Sequence, residues 1–169
     1  MPLFSFPPLS GIEAISLCTA ALILLAAAAM DFRKFKISNW LSLALAALFP
    51  VYALAAHVPM VPHLLTGLAV FAAGFGLYAL HLFGGGDAKL LAAAALWAGP
   101  KFVLLFLLST TTLGGVLAAG FALAALIKSK KRSSGDAVVP WHKAPVPYGM
   151  AIACGGWMVL FLMARSTPT

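Results

Sequence analysis

Acidic residues are almost missing from this chain: four Asp or Glu stand against eleven Lys or Arg in 169 residues. Charge of either sign makes up only 9% of the sequence, and cysteine occurs twice. Each shortage excludes something. So few charges cannot coat a soluble globule, and a mean hydropathy of +1.03 lies far outside the range of soluble domains. Cys18 and Cys154 each sit inside an apolar run without CxxC spacing or companion ligands, which excludes a disulfide scaffold and reads as packing. His57 and His63 flank a proline-containing stretch with no carboxylate or thiolate nearby, so no metal site is expected there.

Apolar sequence is what the chain has in abundance, at 63% of residues. Apolar runs cover 11–30, 39–56, 63–83, 88–99, 102–127 and 148–164. Most reach the ~20 residues that cross a hydrocarbon core of about 30 Å. Backbone exposed to lipid must satisfy its own hydrogen bonds, so these runs are expected to be helical. The prediction is an all-α, polytopic integral membrane protein, a bundle of six transmembrane helices forming one membrane-embedded domain over residues 1–169. Small residues four apart, Ala72 with Gly76 and Gly115 with Ala119, are expected to form packing seams between helices.

The first run is not expected to be a secretory signal. Met1 to Ser10 carries no positive charge, whereas Arg33, Lys34 and Lys36 follow the run, the reverse of a signal's order. That asymmetry places the N-terminus outside. Six spans then put Arg33, Lys34, Lys36, Lys89, Lys128, Lys130, Lys131, Arg132 and Lys143 on the cytoplasmic side, leaving Lys101 and Arg165 outside, as the positive-inside rule requires. Both termini are thus expected outside, with residues 128–147 as a cytoplasmic loop too rich in Pro, Ser and Lys to bury a core. The net charge of +7 is answered by anionic membrane lipid, and no nucleic-acid partner is expected.

Two of the four acids remain hydrated without difficulty: Glu13 at the outer start of the first run and Asp136 in the polar loop. Asp31 and Asp87 differ, because each lies at the edge of an apolar run. Two complete spans separate them, so both reach the same membrane face whichever way the protein is oriented. Lys89 and Lys101 bracket the fourth run, and twelve helical steps cover only about 18 Å, which sets Asp87 below the membrane surface. At two residues apart on a helix, Asp87 and Lys89 point to nearly opposite sides, so the lysine is a poor partner for the acid. Taken alone, GGGD also fits a turn whose aspartate caps the next helix while glycines supply positive φ, and Asp31 alone fits a surface ion pair. The pair is less ordinary. Two carboxylates facing one another in a partly dry site cannot both ionise cheaply, so one holds a proton while the other stays charged. That arrangement suits aspartic proteolysis, in which one member takes a proton from water and the other hydrogen-bonds the peptide carbonyl.

At these residues the chain resembles the type IV prepilin peptidases, aspartyl proteases with a GxGD signature. Gly84, Gly85, Gly86 and Asp87 match that signature, and Lys89 and Leu90 extend it to GxGDxKL. Asp31 followed by a short basic stretch and Ile37-Ser38-Asn39 resembles the family's first motif, with Ser38 where many relatives have proline. Pro147-Tyr148-Gly149 resembles a third motif at the start of the last helix. The resemblance implies that Asp31 and Asp87 are the catalytic dyad. Gly84, Gly85, Gly86, Lys89, Asn39, Pro147, Tyr148 and Gly149 then bind substrate or support the site. It further implies a membrane-anchored prepilin or pseudopilin precursor as substrate, cleaved after its short basic leader at the cytoplasmic face of a bacterial inner membrane, with neither metal nor cofactor. The chain's size resembles the short peptidases of Flp-type, tight-adherence pilus systems, and without a four-cysteine domain N-methylation of the product is not expected. A proton-coupled transporter would want polar groups continuing through the membrane, where Ser109 to Thr112 offer little. A non-catalytic membrane subunit of a secretion complex would tolerate loss of either acid.

Overall fold

The computed structural model describes residues 9–131 and 147–166, and every element among them is a helix. In chain order these are α1 (Gly11–Lys34), α2 (Asn39–Ala55), α3 (Met60–Ala79), α4 (Gly85–Lys131) and α5 (Tyr148–Ser166). Four of them, α1, α3, α4 and α5, are long and apolar enough to cross a bilayer, and their outward faces carry the exposed Leu, Phe and Val expected of a lipid-facing surface. This is a membrane protein. Most of the 128–147 loop, including Asp136 and Trp141, lies outside the described residues.

The expected count of six helices is corrected to five. The fourth and fifth runs fall within one element, α4, as two helical limbs joined across a kink at Gly99, whose φ of 57° and ψ of −174° are not helical. Such a conformation is accessible essentially to glycine alone. Pro100 follows, and as it has no N–H the carbonyl four residues back, on Leu96, loses its helical partner. The ring of His63, at the start of α3, supplies the missing donor: Nδ1 lies 2.8 Å from the Leu96 oxygen. That imidazole sits so closely over Gly99 that a Cβ there would collide with it. Phe49 stacks on the His63 ring at 5.0 Å, and Trp97 meets Phe49 and Tyr52 at 5.7 and 5.3 Å. An aromatic cluster therefore closes this end of the bundle.

The bend lets α4 serve two sets of neighbours. Its first limb, to Gly99, is buried almost without interruption from Ala92 to Ala98. Gly67 and Gly74 of α3 fit against Leu96 and Ala88, and the Trp97 indole donates to the Leu45 carbonyl of α2 at 2.9 Å. The second limb packs on α5, with Gly155 against Thr110 and Gly114 against Tyr148. Tyr148 also meets Phe83, just before the first limb, at 5.8 Å, so the second limb doubles back to the level at which the first began. α1 closes the ring, packing on α2 and α5.

The seams differ from those expected. Gly76 and Gly115 have nothing within 4 Å of a would-be Cβ, and with Ala72 and Ala119 they face outward. Four-residue spacing of small side chains is too common here to mark an interface; the tight approaches are at Gly67, Gly74, Gly155 and Gly156. Cys18 and Cys154 are exposed free thiols rather than core packing, which a thiol tolerates on a lipid-facing surface.

Candidate active site

α1 ends in a turn built for a stop. Phe35 takes a left-handed conformation, φ 48°, and its N–H caps the Asp31 carbonyl at 2.8 Å. Asp31 thus lies within the last turn of α1 rather than after it. Its side chain points inward and is 4% exposed. One oxygen, Oδ2, accepts the backbone N–H of Gly149 at 2.6 Å. A first-turn N–H of a helix has no partner within the helix, so the start of α5 offers Asp31 a donor that would otherwise go unused.

Asp87 stands in the first turn of α4 and is half-buried. It is not the helix cap, since the helix begins at Gly85 and the N–H of Ala88 already bonds the Gly84 carbonyl at 3.0 Å. Nor do the three glycines supply positive φ: among the described residues only Gly99 among glycines does so. Their service is close approach. A Cβ on Gly84 would strike the Asp87 carboxylate, one on Gly85 would come within 3.2 Å of the Tyr78 ring, and one on Gly86 would stand 3.4 Å from both Cβ and the carbonyl of Ile37.

Ile37 is the common wall. It is buried in the short link between α1 and α2, flanked by Lys36 and Ser38. On one side Gly86 rests on it; on the other, a Cβ on Gly149 would come within 2.8 Å of its Cδ1 and 2.9 Å of Asp31 Cβ and Oδ2. The supports of both acids therefore converge on one side chain. The sequence named Ile37 only as the start of a motif. A lone aliphatic residue that stays buried among basic and polar neighbours was the available signal.

The remaining expected residues divide. Pro147 is buried and Tyr148 packs on Phe83 and Gly114, bracing Gly149. Lys89 and Asn39 do not join the acids; they bond each other, Nζ to Oδ1 at 3.0 Å, across the α2–α4 junction. Among the described residues no group of three or more His, Cys, Asp or Glu is arranged to hold a metal ion. Ser109, Thr111 and Thr112 return their hydroxyls to carbonyls of their own helix. What the cluster can offer is acid and base from two carboxyls set where apolar packing meets the membrane edge.

The sequence model of the type IV leader peptidase family matches residues 18–119, well over half of the chain, taking in Asp31, Ile37 and the GGGD turn. No curated protein and no solved structure matches.

Proposed function

The chain belongs to the type IV leader peptidase family, and on that premise we propose that it is an aspartic endopeptidase working at the membrane edge, with Asp31 and Asp87 as its catalytic pair. One observation carries this reading: acids more than fifty positions apart, on different helices, are supported by glycines that press on the same Ile37 side chain. One carboxylate takes a proton from water as the water attacks, while its partner, carrying the shared proton, hydrogen-bonds the peptide carbonyl and stabilises the charge that forms there. The Gly149 N–H occupies Asp31 Oδ2 and holds that side chain against rotation.

The substrate is a prepilin or pseudopilin precursor with a short basic leader and an apolar helix that stays in the membrane. Its scissile bond lies just outside the lipid, since a peptide bond inside a lipid-embedded helix is neither extended nor reachable by water. The enzyme sits in a bacterial inner membrane, its site facing the cytoplasm and its termini outside, and serves pilus assembly or secretion of the Flp type. Co-expression with a candidate prepilin tests this. Leader-cleaved product on a gel is expected for the wild type, and none for Asp31→Asn or Asp87→Asn, both of which keep side-chain shape and remain in the membrane. Full processing by either variant refutes the pair.

A further inference from the structure

On the far side of α4 from Asp87, α2 and α3 both pack on the first limb and make little contact with one another. Between them lies an open trough of about 580 Å³, within the ~300–1,000 Å³ typical of small-molecule sites. Small side chains create it, notably Ala46, Gly67, Ala92 and Ala93. Its polarity is graded along the helix axes. Lys89 and Asn39 stand together at one end, Ser42 follows one turn deeper on α2, and the far end is apolar, at Ala46, Leu96 and Leu64, the last because α3 runs antiparallel to the first limb, Gly74 on Ala88 and Gly67 on Leu96. No carboxylate lines it.

Two polar groups here are incompletely used. Ser42 lines the trough, only 6% exposed, and its hydroxyl, itself closed to solvent, has no hydrogen-bond partner, although a helical serine ordinarily returns its hydroxyl to a carbonyl one turn back. Lys89 gives one of its three N–H donors to Asn39 Oδ1, and the Asn39 amide nitrogen keeps its own donors. A cation and an amide at one end of an otherwise apolar trough have a chemical counterpart.

We propose that the trough is a binding site for one anionic glycerophospholipid. Its phosphate lies on Lys89 and the Asn39 amide, and an acyl chain runs from Phe71 along Gly67 to Ala46 and Leu64. A cation at one end and an apolar lining along seven residue steps of each of the three helices, about 10 Å, match a lipid's headgroup and chain. The inference does not depend on the peptidase reading, since none of its contacts involves Asp31 or Asp87.

Full-length protein, purified in detergent and stripped of lipid, is titrated with dioleoyl phosphatidylglycerol and the bound lipid counted by native mass spectrometry. One tightly held lipid is expected. Lys89→Gln weakens it about tenfold, as loss of a charge-assisted contact predicts, and Ala46→Trp, which fills the trough, removes it. Ala47→Trp, on the exposed face one residue along, retains it. Dioleoylglycerol, with the same chains and no phosphate, binds more weakly than the phospholipid. Equal binding of the two lipids overturns the proposal, as does undiminished binding by Lys89→Gln, an exposed substitution that does not threaten folding. A photo-crosslinker placed at position 46 in membranes is expected to capture lipid; capture of a protein helix instead overturns the assignment.

Discussion

Replacing Gly149 with alanine puts a methyl group into the tightest junction of the site. The new carbon would stand 2.8 Å from Ile37 Cδ1 and 2.9 Å from both Cβ and Oδ2 of Asp31, where van der Waals contact between carbons begins at about 3.5 Å. Relief demands that α5 or the end of α1 retreat by roughly 0.6–1 Å. Overpacking of this kind costs about 1–3 kcal/mol of stability, which a bundle of this size can absorb. Geometry suffers more, because a displacement near 1 Å at a catalytic group costs on the order of a hundredfold in rate. Gly149→Ala is therefore expected to remain in the membrane at near-normal level while prepilin processing, followed as cleaved product per unit of immunoblotted enzyme, falls about a hundredfold. Adding Ile37→Val removes the 2.8 Å contact and leaves the two at Asp31, so rescue should be partial. Processing by Gly149→Ala at the wild-type rate would refute the idea that this glycine is required by the approach of Asp31.

Three further expectations concern the scaffold. His63→Ala leaves the Leu96 carbonyl without a partner and should lower stability by about 1–3 kcal/mol, read as a drop in thermal unfolding temperature in detergent, whereas His63→Gln, which keeps a donor, should recover part of the loss. Gly99→Ala should be worse than His63→Ala, since it combines a left-handed φ with collision against the imidazole; in the double variant the losses should be less than additive because the two sites touch. Gly156→Ala, whose methyl would sit 2.7 Å from Leu24, should destabilise by about 1–3 kcal/mol, while Gly76→Ala and Gly115→Ala, in open space, should be neutral or slightly stabilising in the same assay.

Asp31 and Asp87 drew attention in the chain alone because acids are so scarce that their positions at the edges of apolar runs carry weight, and counting runs led to the expectation that they share a face; in the structure the glycines beside them meet at Ile37. The helical character of the whole followed from lipid as solvent. What resisted reading were features made by distant partners. Pro100 marks a helix end in any local view, and the first limb of α4 does end there; what could not be read is that His63, thirty-three positions earlier, bonds the Leu96 carbonyl that Pro100 leaves without a helical partner. Spacing of small residues pointed to Gly76 and Gly115, yet whether a small residue meets a neighbour depends on where the neighbouring helix runs. The glycines of GGGD were explicable as a turn, but their use is to admit Tyr78, Ile37 and the Asp87 carboxylate itself. Gly149 was known only as part of a motif, and its reason, room for Asp31, exists only in three dimensions.

The hydrogen bond that steadies Asp31 comes from a residue 118 positions later. During synthesis the first acid enters the membrane long before the donor that fixes it has been made. A nascent chain that has inserted α1 to α4 holds both acids and still lacks the anchor for one of them. On the proposed reading, proteolytic competence is expected to await the final helix, and a chain cut short before Pro147 to be inert however much of the bundle it has assembled.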